Sequence, residues 1–117
     1  MFKHLSMRLK IMSNLNFPKG INTIIKSDAS NLSGGQKQII SIARALYKDT
    51  NIILFDEPSS SLDDIYSDVL KNILLKIKYK KTIVFITHDA SFINYFDKVY
   101  EIKNKKLKII NKSKRKS

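Results

Sequence analysis

Residues 32–63 read LSGGQKQIISIARALYKDTNIILFDEPSSSLD, and they begin with a serine and two glycines in front of a segment with helical apolar spacing. That spacing predicts a helix over 34–47, and Ser33 just before it is a favourable N-cap residue. The backbone N–H groups of Gly34 and Gly35 would then lie at the helix N-terminus. There the helix dipole favours an anion such as phosphate.

A short apolar run, IILF at 52–55, ends abruptly in two acids and a proline. Such a run suits a buried parallel strand, and α/β sheets bind their ligands at the C-terminal ends of strands. Asp56 and Glu57 follow the run directly, and Pro58 stops its continuation. An anion-binding helix start followed by paired carboxylates indicates phosphate and magnesium chemistry.

Four motifs in this order resemble those of the ATP-binding cassette (ABC) ATPases. They are the signature motif LSGGQKQ at 32–38, the Walker B strand IILFDEP at 52–58, the D-loop SSLD at 60–63 and the switch-histidine loop THD at 87–89. The resemblance covers roughly residues 18–102. It implies an α/β fold, a partial P-loop NTPase with a parallel-strand core, flanking helices and a C-terminal hairpin.

The resemblance implies a catalytic role for each of three residues that follow the predicted strands. Asp56 would hold Mg²⁺ through water, as the acid at the end of this strand does in P-loop ATPases. Glu57 would polarise the attacking water as general base. His88 would bond the γ-phosphate or the attacking water of bound ATP. Without the other motifs, the two acids would read as a strand that runs into an acidic turn.

On the signature side, the resemblance implies contact with ATP that is held by a second subunit. Ser33, Gly34 and Gly35 would bind its phosphate through a hydroxyl and backbone amides, with Gln36 supporting the loop. Asp63 would lie at the dimer interface and couple the two sites. The structural alternatives are a capped helix start for the glycines and a first-turn helix acid for Asp63.

The phosphate-binding loop Gly-x-x-x-x-Gly-Lys-Ser/Thr does not occur in the sequence, whose glycines are Gly20, Gly34 and Gly35. We therefore expect that this polypeptide does not form a complete ATP site alone. In the resembled fold, the phosphate-loop strand lies beside the strand predicted at 83–86. That strand should then have an unpaired edge.

The remaining pattern predicts the order of the other elements. Apolar residues at steps of three and four predict a helix over 62–79, through Leu62, Ile65, Val69, Ile73, Leu74 and Ile77. Further elements are a helix over 1–15, a turn at 17–20, a short helix that Asp89 caps through Tyr95, and a hairpin of 99–103 and 107–110. The predicted domain is 1–110, divided into the end of a helical subdomain (1–31) and a motif-bearing part (32–110). A basic disordered tail follows at 111–117.

Composition favours a cytosolic protein. The 117 residues contain no cysteine, and no apolar stretch approaches the roughly 20 residues that span a bilayer. The net charge of +12 comes from 19 lysines and only 3 arginines. Such lysine bias is expected from an AT-rich coding sequence and says little about a nucleic-acid partner.

The first interpretation is the ATP-binding part of an ABC transporter, which uses ATP and Mg²⁺ with a second nucleotide-binding domain and transmembrane permease domains as partners. It would lie on the cytoplasmic face of the membrane. The alternatives are a catalytically incomplete regulatory module and the lobe of a nucleic-acid-associated ATPase. Lys26, Ser27 and Ala29 stand where export-type cassettes carry glycine and glutamate, so import and export both stay open.

Overall fold

A computed structural model describes residues 17–110, which form two compact units divided between Thr87 and His88. The helix predicted over 1–15 and the tail predicted at 111–117 lie outside the described residues. None of the helices within 17–110 is long and apolar enough to cross a membrane. The first element within the described residues is a short 3₁₀ helix, Gly20–Asn22.

Helix α1, Gly34–Tyr47, has the predicted bounds. Its apolar side chains repeat at three- and four-residue steps, so they lie on one helix face. Ile39, Ile42 and Leu46 are buried on that face. The helix therefore contributes one wall of the core of the first unit.

Helix α2, Asp64–Ile77, is shorter than the predicted 62–79 because Asp63 caps it and Lys78 ends it. Ile65, one of the apolar residues of the predicted helical pattern, lies outside the buried face, since its side chain is 71% exposed. Leu70 starts the buried stripe instead, and it lies five residues later, about 140° around the helix from Ile65. The other core residues of α2 are Ile73, Leu74 and Ile77.

Strands β1, Ile52–Asp56, and β2, Thr82–Ile86, form a parallel pair that α2 connects. The rings of Phe55 and Phe85 pack edge to face, with their centroids 6.0 Å apart. Within the described residues β2 pairs only with β1, in agreement with the predicted unpaired edge.

The prediction of a fully buried β1 strand is wrong for one of its two faces. Ile53 and Phe55 are buried, but Ile52 and Leu54 are each 64% exposed. Successive side chains of a strand point to opposite faces. The core of the first unit therefore covers one face of the parallel pair and leaves the other face in solvent.

The second unit contains the 3₁₀ helix Ala90–Tyr95 and the antiparallel strands β3, Val99–Lys103, and β4, Lys106–Ile110. Two residues, Asn104 and Lys105, join the strands with φ values of 51° and 60°. Positive φ at both central positions defines a type I′ turn, whose twist matches that of a hairpin. The predicted hairpin is confirmed, with Lys106 inside the second strand.

Candidate functional site

The start of α1 is fixed by a reciprocal pair of hydrogen bonds. The backbone N–H of Gln36 donates to Oγ of Ser33 over 3.1 Å, and the backbone N–H of Ser33 donates to Oε1 of Gln36 over 2.9 Å. The first intrahelical bond is donated by Lys37 to the Ser33 carbonyl, at 3.0 Å. The N–H groups of Gly34 and Gly35 precede it and have no intrahelical acceptor.

The two glycines differ in how closely other backbone and side chains approach them. A Cβ built on Gly35 would lie 2.8 Å from Cδ2 of Tyr66 and 3.4 Å from the carbonyl oxygen of Ser61. A Cβ on Gly34 would lie no nearer than 3.5 Å, from the Ser61 side chain, which is ordinary contact. Gly35 thus allows the N-terminus of α1 to pack against the D-loop and the first turn of α2. Sequence reasoning missed Tyr66, because no spacing rule links it to Gly35.

Asp63 is the N-cap of α2, since its Oδ1 accepts the backbone N–H of Tyr66 at 2.9 Å. Its carboxylate is exposed and adjoins the segment that packs on Gly35. The first unit therefore brings the signature glycines and the D-loop acid into one region. The coupling of two ATP sites through Asp63 stays a prediction.

The loop in front of the signature motif is organised by Asn31, which sequence reasoning also missed. Its Oδ1 accepts the backbone N–H of Lys26 at 3.1 Å, and its Nδ2 donates to the carbonyl of Ile24 at 3.0 Å. Next to it, the backbone N–H of Ser30 donates to Asp28 and holds the pKa of that carboxyl below its usual value. These local bonds hold the chain that leads into Ser33.

Asp56 and Glu57 lie at the C-terminal end of β1, as predicted, but in different environments. Asp56 is exposed, whereas Glu57 is half-buried and its Oε2 has almost no accessible surface. Glu57 has a φ of 48°, a conformation that costs an L-residue about 1–2 kcal/mol. Its backbone N–H donates to the carbonyl of Ile86 at 2.8 Å, which ties the turn to the end of β2.

The loops after the two strands also meet through their hydroxyl groups. Oγ of Ser59 and Oγ1 of Thr87 are 3.5 Å apart. His88 is exposed and begins the second unit, so its placement beside Glu57 stays a prediction. Asp89 has a structural role, because its Oδ1 accepts the N–H of Ser91 and caps the following 3₁₀ helix.

Replacement of Ser33 by Ala is expected to lower the free energy of unfolding by about 1 kcal/mol, because the Gln36 N–H loses the hydroxyl oxygen that accepts its hydrogen bond. Chemical denaturation monitored by circular dichroism measures the change. Ser41→Ala is the matched control, since Ser41 is exposed within the same helix and Ala is at least as good a helix former. Equal effects of the two substitutions would show that the cap is not what stabilises α1.

The sequence model of the ABC transporter family matches residues 5–60. Over 88 residues the chain is 43% identical to ABC transporter C family member 5 of Arabidopsis thaliana. The aligned region is 74% of this chain and 6% of the relative. The chain therefore spans only a small part of that relative's length.

Two solved structures show the same fold. One is the dimeric bacterial ABC transporter cassette MJ0796, with a TM-score of 0.64 and 30% identity over 84% of this chain and 40% of that cassette. The other is a bacterial Atm1-family ABC exporter with ATP bound, with a TM-score of 0.70 and 27% identity over 86% of this chain and 18% of the exporter. The fold is thus that of the ABC-type P-loop ATPases. The chain belongs to the ABC transporter family and corresponds to part of its ATP-binding domain.

Proposed function

We propose that this chain supplies catalytic and signature residues of a site that hydrolyses ATP at the interface between two cassettes, and that this hydrolysis drives transport through membrane-spanning partners. The observation that carries the proposal is the environment of the acid pair at the end of β1. One carboxylate is exposed and the next is half-buried in a strained turn. Neighbouring acids in such different surroundings suit two different chemical tasks.

Glu57 is the candidate general base. The hydrogen bond from its N–H to Ile86 fixes its backbone at the end of the sheet, where a substrate of this fold would lie. Partial burial limits the water molecules that reach its carboxylate. A base held in this way would orient one water for in-line attack on the γ-phosphate. His88 would bond the same phosphate or water after the substrate binds.

Asp56 is suited to a magnesium site in which ATP phosphates and water supply the remaining ligands. Among residues 17–110 no group of three or more His, Cys, Asp or Glu side chains could hold a metal. Mg²⁺ commonly takes one or two carboxylates together with water and substrate phosphates, so the exposed Asp56 is a suitable protein ligand. The ion would neutralise charge on the β- and γ-phosphates.

The start of α1 is suited to the nucleotide of a second cassette. The hydroxyl oxygen of Ser33 accepts the capping hydrogen bond from the Gln36 N–H, so its O–H can still donate to a phosphate oxygen. The amides of Gly34 and Gly35 add two further donors at the positive end of the helix dipole. A second nucleotide-binding domain is therefore the first partner that we propose. Permease domains would hold the pair at the cytoplasmic face of the membrane.

The alternative function is a catalytically incomplete module that presents its signature surface to an intact cassette. It is favoured by one observation, the lack of a Gly-x-x-x-x-Gly-Lys-Ser/Thr sequence in these 117 residues. In this case the chain would change the activity of the intact cassette and would add no hydrolysis of its own.

Reconstitution separates the two functions. The chain is combined with the part of the MJ0796 cassette that lies outside the region of similarity, and phosphate release from ATP is measured. We expect Mg²⁺-dependent hydrolysis that neither part shows alone and that a chelator abolishes. If the two parts also fail to hydrolyse ATP when joined as one polypeptide, the chain lacks the proposed catalytic groups.

A further inference from the structure

The N-terminus of α1 is held in two ways. Its local shape comes from the reciprocal hydrogen bonds of Ser33 and Gln36, which involve only residues of that turn. Those bonds fix the conformation of the turn but not its place relative to the rest of the chain. That place is set at Gly35, which is buried against the D-loop and the first turn of α2, while the neighbouring Gly34 is exposed.

Tyr66 supplies the closest part of this contact. Two atoms of its ring, Cδ2 and Cε2, lie 2.8 and 3.2 Å from the point that a Cβ of residue 35 would occupy. The carbonyl oxygen of Ser61 lies 3.4 Å from the same point. The ring therefore fills the space that a side chain at position 35 would take, and it determines how near α1 can approach α2.

The Tyr66 ring is carried by a well-fixed helix. The backbone N–H of Tyr66 donates to Oδ1 of Asp63 over 2.9 Å, and the N–H of Ser67 donates to the carbonyl of Asp63 over 2.8 Å. About one turn further along α2, Leu70 is fully buried in the core. Groups on a packed helix are placed more precisely than groups on a loop. The position of α2 is thus passed to Gly35 through the Tyr66 ring.

We propose that Tyr66 is a positioning residue of the ATP site, whose ring places the amides of Gly34 and Gly35 against the phosphate held by a second cassette. This inference rests on the proposed function, which assigns those amides to the phosphate. Hydrogen-bond donors stabilise a developing charge best when they are held in place beforehand. A misplacement of about 1 Å can cost about 10²-fold in rate. Without the ring, the end of α1 is free to move into the space that the ring leaves.

Hydrolysis by reconstituted cassettes tests the proposal. Tyr66→Ala should lower phosphate release by about tenfold or more, because the amides are no longer fixed. Tyr66→Phe keeps the ring and should restore most of the rate. Tyr79→Ala is the matched control, since it removes a ring that is 84% exposed beyond the other end of α2. Circular dichroism verifies folding, and Tyr66→Leu replaces Tyr66→Ala if that chain does not fold.

A mixture of two variants separates positioning from a general structural role. In a shared site, one cassette supplies Glu57 and the other supplies the signature amides. An excess of Glu57→Gln cassettes, whose signature is intact, should therefore restore most of the hydrolysis that Tyr66→Ala cassettes lose. An excess of cassettes that carry both substitutions should not restore it, because every signature then lacks the ring. Poor folding of the Tyr66→Ala chain would also damage its own catalytic residues, and the mixture would then stay inactive.

Four results would overturn the inference. They are a wild-type rate in Tyr66→Ala, an equal loss in Tyr66→Phe, a loss that Glu57→Gln cassettes do not restore, and restoration by the doubly substituted cassettes. Each of them would leave the proposed function standing, because the wild-type cassette hydrolyses ATP in all four. A wild-type cassette that hydrolyses no ATP would refute the proposed function, and the role of Tyr66 with it.

Discussion

Glu57→Gln is expected to lower Mg²⁺-dependent ATP hydrolysis by the reconstituted cassette about 10²–10⁴-fold, the usual contribution of a positioned general base. Glutamine has nearly the same shape as glutamate but does not accept a proton from water. Because the hydrogen bond to Ile86 comes from the backbone N–H, the substitution leaves the turn intact. Phosphate release at saturating ATP measures the loss.

Two controls accompany this experiment. ATP affinity should change little in Glu57→Gln, since a base acts on the attacking water and not on the nucleotide. Asp68→Asn removes a carboxylate from the exposed side of α2 and should leave hydrolysis unchanged, since the side chain is 74% exposed and remote in sequence from the acid pair. Hydrolysis by Glu57→Gln at the wild-type rate would exclude Glu57 as the base.

Gly35→Ala is expected to lower the free energy of unfolding by about 1–3 kcal/mol, the usual cost of overfilling a packed site. The new methyl group would lie 2.8 Å from the Tyr66 ring, so α1 or the ring must move. Gly34→Ala is the matched control, because its methyl group meets Ser61 at an ordinary 3.5 Å. Equilibrium denaturation should show a change below about 1 kcal/mol for this control.

A double substitution identifies the contact responsible. Tyr66→Ala removes the ring and provides room for the methyl group, so Gly35→Ala should cost less in this background. Their combined effect should be smaller than the sum of the single effects by about 0.5–3 kcal/mol. Strict additivity would mean that Tyr66 does not oppose a side chain at position 35.

Local signals made much of the fold predictable. The capping serine and the spacing of Ile39, Ile42 and Leu46 predicted α1 within its observed bounds. The apolar run before Asp56 predicted β1, because a short segment that is apolar, begins with two β-branched residues and ends in acids and a proline favours a strand. In each case the deciding interactions join residues that are close in sequence.

The remaining features depend on contacts between distant residues. Nothing in the sequence shows that Tyr66 lies against Gly35, or that the N–H of Glu57 bonds the carbonyl of Ile86. The exposure of Ile65 has the same origin, because helical spacing allows more than one apolar stripe and packing selects one. A continuous apolar run likewise gave no sign that one face of β1 is open.

The dependence of hydrolysis on concentration tests the central claim most directly. If the signature residues of one cassette complete the ATP site of another, phosphate release per reconstituted cassette should rise with cassette concentration until all cassettes are paired. Ser33→Asp, which keeps a capping side chain but adds a negative charge near the phosphate, should reduce the plateau. A rate per cassette that does not change with cassette concentration, and that is the same in Ser33→Asp, would contradict an ATP site shared between two cassettes.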